Sequence, residues 1–318
     1  FQFFKLIYKS MKLAEKSFSI LQRDIILTIS NLITGIIIAR TLGPEMMGIW
    51  TILLLIPSYS EAFGRLKIDV ASVYFIGKGK VSLGEMAFLL NLATIISSSI
   101  LISLFALNFE LIYDYLFINV SYDARQLVYV ILLYIPLYFT FSNYSYLHIQ
   151  QENITIYNQM ILVDAIISSI LGILMLVIFE LGILGIMVGK IFGLLISLVF
   201  SIPKISRIEK MKLFYNFKTI KEILVYSFHF YVAGLISHLN FYLTNLITVF
   251  YLNPSQVAFF GLAKSRAAMV TKMVPNALSA VLLPKISKMT KEKDAQSLTC
   301  LSFRVTSMIL LILGLILF

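Results

Sequence analysis

Apolar residues occur along this chain in long unbroken runs, each closed by a short polar turn. The first run covers residues 18–40 and stops at Leu42-Gly43-Pro44-Glu45. The second follows at once over residues 46–76, with Pro57 placed to kink it. Further runs cover 83–107, 126–148, 154–179, 182–203, 223–252, 256–284 and 297–318. Each reaches the length of about 20 residues that a helix needs to cross a bilayer. They are continuous, whereas a membrane barrel would alternate over segments of about 10 residues. The pattern predicts nine transmembrane helices, spans 1–9, because helices satisfy their backbone hydrogen bonds internally. Arg65, Lys67 and Asp69 are expected to mark the exit of span 2 into the polar interface, where Arg65 and Asp69 form a local pair.

The turn at Gly43-Pro44 has a copy at Asn253-Pro254, 210 positions later. At that offset Ser17-Phe18 meets Ser227-Phe228, Thr34 meets Thr244 and Ile37 meets Ile247. This reads as the start of each half of a duplicated membrane protein. Residues 1–203 then form one six-helix bundle, 204–222 a basic linker, and 223–318 the first three helices of a second bundle. Two full units would need about 420 residues, so about three C-terminal helices are expected to be missing.

Composition agrees with lipid as the solvent. The chain is 59% hydrophobic and only 13% charged, against about 25% charged in soluble domains. Its net charge of +10 would suggest nucleic acid in a soluble protein. Here the Lys and Arg residues cluster at the N-terminus and after spans 2, 6 and 8, so no nucleic-acid partner is implied. The positive-inside rule then places the N-terminus and every basic loop in the cytoplasm, in the cytoplasmic membrane. The basic start runs into a full-length span and reads as a retained first helix. Cys300 is the only cysteine, which excludes an intrachain disulfide. No phosphate loop, Ser/His/Asp arrangement or metal-ligand spacing is found; no catalytic residue, metal or cofactor is expected.

The stretch Ala39-Arg40-Thr41-Leu42-Gly43-Pro44-Glu45-Met46-Met47-Gly48-Ile49-Trp50 resembles a signature of the polysaccharide-flippase branch of the MOP superfamily, which also holds the MATE drug exporters. Leu283-Pro284-Lys285-Ile286-Ser287, the Asn253-Pro254 turn and Gly261 support it. The resemblance implies an all-α polytopic fold of two pseudo-symmetric six-helix bundles around a central cavity. It also implies flipping of polyprenyl-pyrophosphate-linked oligosaccharides to the outer leaflet. Membrane lipids, a polysaccharide polymerase and glycosyltransferases of the same pathway are the implied partners. Lipid II flippases carry an Arg-Asp pair in their first helix. Arg23-Asp24 lies far from Ala39-Arg40, so that role is not carried over.

A charge at the bilayer centre costs at least about 2.5 kcal/mol and must face a cavity or a partner. Lys264 and Arg266 in span 8 are candidates to clamp a pyrophosphate, since Arg forks and Lys point charges bind phosphate oxygens; snorkelling to the interface is the plain alternative. Lys190 in span 6 could assist them or pair with Asp164 in span 5, itself a candidate for ion coupling or gating together with Arg23 and Asp24. His238, Tyr242 and Asn245 share one helical face and could line a sugar wall or bond between helices. Gly185, Gly189 and Gly193 form a small-residue ridge expected to pack helices. Two other functions fit less well. A MATE-type drug/cation antiporter predicts an acidic cavity. A membrane polymerase predicts a large extramembrane loop.

Overall fold

Helices account for every regular element among the described residues, which in the computed structural model are 2–265, 267, 282, 286 and 292–317. In chain order they are α1 (Gln2–Leu53), α2 (Leu55–Gly64), α3 (Ile68–Gly77), α4 (Leu83–Leu107), α5 (Phe109–Leu116), α6 (Arg125–Gln150), α7 (Ile154–Val177), α8 (Gly182–Ile208) and α9 (Phe217–Tyr251). A tenth helix, α10, is described over 254–265, and α11 covers Glu292–Leu317. Among the described residues six stretches are long and apolar enough to cross a membrane, and the first, Phe18–Gly64, holds expected span 1 and the first part of span 2. Large apolar side chains face outward along them, Ile33, Ile95, Leu133, Ile170 and Val199 among them. Most of span 8 beyond 265, with Arg266 and the Leu283–Ser287 motif, lies outside the described residues.

The punctuation works as its chemistry dictates. Ser82 and Glu85 form a capping box that starts α4. The Asn153 and Asn216 side chains accept backbone N–H groups at the starts of α7 and α9. Gly43 breaks α1 with φ 75° and ψ 172°, a backbone region that costs glycine little.

Buried clusters give the chain direction. Ile20 packs with Ile149 and Ile154 at one end, and Ile38 packs with Met47, Trp50 and Ile56 at the other. Ala71 and Phe75 return to join Leu147 in a third cluster. The chain therefore reverses around Gly43 and comes back through α2 and α3. Polar bonds tie neighbouring helices. Asn143 donates to Leu90 O (3.2 Å) and Thr94 Oγ1 (2.8 Å), the His148 ring nitrogen Nε2 meets Ser201 Oγ at 2.8 Å, and Ser197 donates to Met160 O at 2.7 Å. The Gly185–Gly189–Gly193 ridge lies against Met175, Gly172 and Asp164 of α7, so it packs helices as expected.

Span 2 differs from its sequence reading. The Pro57 ring has no N–H for the Leu53 carbonyl, and the helix slips at Leu54. A second, deeper break at Arg65–Lys67 separates α2 from α3, with Lys67 in the left-handed region at φ 56°. Arg65 and Asp69 are buried here rather than released to the interface. The connection after span 3 also holds a helix, α5, where the apolar pattern predicts no span.

Candidate functional site

The break in span 2 puts charge into the seam where α2 and α3 meet α9. Glu61, on the last turn of α2, accepts from Arg65 Nη1 at 2.9 Å and from the Tyr138 hydroxyl at 3.0 Å. Lys67 Nζ stands 3.8 Å from the same carboxylate, and His238 Nε2 of α9 stands 3.9 Å away. Arg65 also pairs with Asp69 one turn further on. Two carboxylates and two cations thus share one water-poor site, with Glu61 and Arg65 each held by more than one neighbour. That arrangement suits ions taken out of water, since an unpaired one would carry a desolvation penalty of several kcal/mol.

Aromatic side chains extend the site along the seam. The Tyr59 hydroxyl donates to the Tyr242 carbonyl at 3.0 Å, and the two rings lie 6.2 Å apart. The His238 and Tyr242 rings are 5.5 Å apart. Tyr138 stacks on Tyr134 at 5.6 Å, and Tyr134 lies within electrostatic reach of both Glu61 and Asp164. Further along α9, Lys264 of α10 donates to Asn245 Oδ1 at 2.9 Å and to the Phe241 carbonyl, with its ammonium 4.6 Å from the Phe241 ring.

The expected residues therefore fall into three groups. His238, Asn245 and Lys264 converge on the seam. Asp164 and Lys190 sit on the packed pair α7 and α8, near enough to feel each other's charge but without an ion pair within contact distance. Asp164 accepts from Ser168 at 3.2 Å. Arg23 and Asp24 bind each other at 2.6 Å. Arg23 also donates to Asn158 of α7 at 3.1 Å and lies over the Tyr157 ring at 4.8 Å. This third group fastens α1 to α7. Arg266 lies outside the described residues. Glu61 is the residue that the sequence reading passed over. Its signal was a carboxylate inside span 2, one turn before Arg65 and two before Asp69.

At the other end of the seam α1 and α10 touch through backbone. Gly48 lies against the Pro254 carbonyl so closely that a Cβ there would overlap it. Thr51 lies against Gly261, its own counterpart at the 210-residue offset. The Asn119 side chain donates to the carbonyls of Val249 (3.2 Å), Phe250 (3.0 Å) and Leu252 (3.3 Å), closing the C-terminal turn of α9. Among the described residues no group of three or more His, Cys, Asp or Glu side chains could hold a metal ion.

Comparison with known proteins adds three findings. The family described as polysaccharide biosynthesis protein matches residues 37–318. A point mutant of the MATE transporter VcmN from Vibrio cholerae superposes with a TM-score of 0.63 at 17% identity, covering 88% of this chain and 65% of that one. The bent form of the same transporter gives 0.63 at 18% identity, covering 88% and 66%. The chain thus spans about two thirds of the length of these solved structures, and the likeness is one of fold. No curated protein sequence matches.

Proposed function

The chain belongs to the polysaccharide biosynthesis protein family, and from that premise we propose that it moves a polyprenyl-pyrophosphate-linked oligosaccharide across the cytoplasmic membrane for cell-surface polysaccharide assembly. It is a multi-pass membrane protein with a MATE-type transporter fold, as the Ala39–Trp50 resemblance to the MOP superfamily implied. The proposed path is alternating access. The head group enters the seam from the cytoplasmic side, Lys264 and Arg266 neutralise its phosphates, Lys190 on the α7–α8 pair is a candidate cation away from the seam, and the prenyl tail stays on the lipid side of the bundle. Rocking of the two halves then presents it outside. Asp164, Asp24 and Arg23 remain candidates for coupling or gating, and Glu61 joins them. The polymerase and glycosyltransferases of the same pathway are the proposed partners.

One observation carries this reading: a polar lane of Glu61, Arg65, Lys67, His238, Asn245 and Lys264 lies within a bundle whose outside is apolar. A lipid-embedded helix bundle has little reason to hold such groups unless a polar substrate passes them. The lane holds the cations Arg65, Lys67 and Lys264 against the acids Glu61 and Asp69. That balance suits an anionic head group better than the organic cation of an antiporter. The test is transport by the full-length protein in vesicles, with a lipid-linked oligosaccharide compared against an organic cation. Translocation of the lipid-linked sugar is expected; export of the cation alone would overturn the reading.

A further inference from the structure

A second feature lies on the flank of the seam, where α4 passes α9. Two apolar hollows, of about 480 and 450 Å³, share the side chains of Phe63, Leu101 and Leu104 and so run into each other. One reaches from Ile223 and Leu224 at the start of α9 to Leu101. The other continues past Phe105 to Leu116 and Leu246. The α4 wall alone, from Leu89 to Leu104, is about 22 Å long at the helical rise of 1.5 Å per residue, a large part of the roughly 30 Å hydrocarbon thickness.

The groove opens sideways. Leu92, Ile96, Ile100 and Leu104 line it and are 42–54% exposed. Its open side is lined by apolar side chains, so an occupant arriving from the side is a hydrocarbon chain. Its inner wall is the break between α2 and α3, where Arg65, Lys67 and Asp69 line the hollow. Irregular backbone at membrane depth persists only where protein or a cavity covers it. Its rim at the Gly79 end is basic. Lys80 binds Glu222 at 3.0 Å, which brings the turn after α3 against the start of α9. Lys218 and Lys221 are exposed and flank Ile220, which lines the hollow, and the nearby Glu209 is matched by Lys212 at 2.8 Å. Lys218 and Lys221, beside the Lys80–Glu222 pair, favour a phosphate at the mouth.

Resting on the reading of this chain as a carrier of a polyprenyl-linked head group, we infer that the groove between α4 and α9 seats the isoprenoid tail of the substrate, with its phosphate at the lysine rim. The tail then has a protein-lined track beside the seam. The groove also explains why small side chains, Ala93 and Ser97, stand one helical turn apart on its floor.

The test uses the full-length protein in lipid nanodiscs with a photoreactive polyprenyl phosphate, tagged on its tail and carrying no sugar. Labelling should map to α4 and α9. Ala93→Trp with Ser97→Trp should cut it at least tenfold, while Leu133→Trp, on the exposed outer face of α6, should leave it unchanged. Lys218→Gln with Lys221→Gln, on the exposed rim, should weaken it severalfold without disturbing the groove. Equal labelling by a phosphatidylglycerol carrying the same tag, not displaced by excess polyprenyl phosphate, would mean a resident membrane lipid and would overturn the inference. So would absence of label from α4, which would mean that another segment of the protein covers the groove. Labelling needs no transport. A failure of the vesicle experiment above with labelling intact would therefore count against the proposed function and not against the groove.

Discussion

Glu61 holds Arg65, Tyr138, Lys67 and His238 around a single carboxylate. Glu61→Gln keeps the shape and removes the charge. Arg65 retains Asp69 as a partner, so the loss falls mainly on Lys67. The expected cost is about 3 kcal/mol, the lower edge of the range for breaking a buried pair, read as a lower melting temperature in detergent. Tyr138→Phe removes one donor and should cost about 1 kcal/mol. If both variants melt like the parent, Glu61 is not the hub of the seam. Lys264 is a different case. Its ammonium is held by the Asn245 amide oxygen and the Phe241 carbonyl, without a carboxylate. That leaves its positive charge uncompensated in the described contacts, so Lys264→Leu should reduce transport of a phosphate-bearing lipid at least tenfold while the fold survives. Transport at the parent rate would remove Lys264 from the path.

Span 2 shows how an element can be predicted as a whole and missed in its detail. Its apolar length foretold a crossing, and Pro57 foretold a kink. The break at Arg65–Lys67 follows no proline. It depends on Lys67 taking a left-handed backbone, which costs an L-residue roughly 1–2 kcal/mol, while Lys67 reaches Glu61 and lies 3.1 Å from the position a Cβ on Gly234 would take. Lys67→Gly should therefore keep or raise the melting temperature, whereas Lys67→Val, β-branched at positive φ, should lower it sharply. The reverse order would show that the break is not strained. The Gly43 corner behaves differently. Its backbone contact with α10 was foreshadowed by the Gly43-Pro44 and Asn253-Pro254 repeat. Gly48→Ala would drive a Cβ into the Pro254 carbonyl, and Asn119→Ala would free the three carbonyls that end α9. Either change should part the two corners, seen as longer distances between spin labels at positions 45 and 255. Unchanged distances would mean that these contacts do not hold the Gly43 end shut.

At the scale of the whole molecule, all described turns fall at two ends. Gly43, the α5 region, the α7–α8 turn and Asn253 share one end; the Gly79, Gln151 and 209–216 connections share the other. The lysines of the second group predict that it faces the cytoplasm. With Cys300 replaced, a single cysteine at position 79 should resist a membrane-impermeant thiol reagent in whole cells, and one at position 45 should react. Opposite labelling would invert the orientation and place the groove's lysine rim on the outer surface.

What the sequence determined by itself was whatever depends on local runs. Helix type, span number over most of the described chain and turn positions are set by residues close to one another. The family resemblance rested on one such stretch. The same reasoning placed Lys264, His238 and Asn245 at membrane depth. Only the tertiary structure decided what each charge meets. It gave Lys264 to Asn245, His238 to Glu61, and Arg23 to Asp24 and Asn158 on α7. It also separated Asp164 and Lys190 from the α9 seam. A helix's pattern tells which side chains must avoid lipid, but lipid can be avoided against any neighbour. The choice of neighbour depends on how helices far apart in sequence cross, and on a backbone break at Lys67 that local propensity alone does not favour.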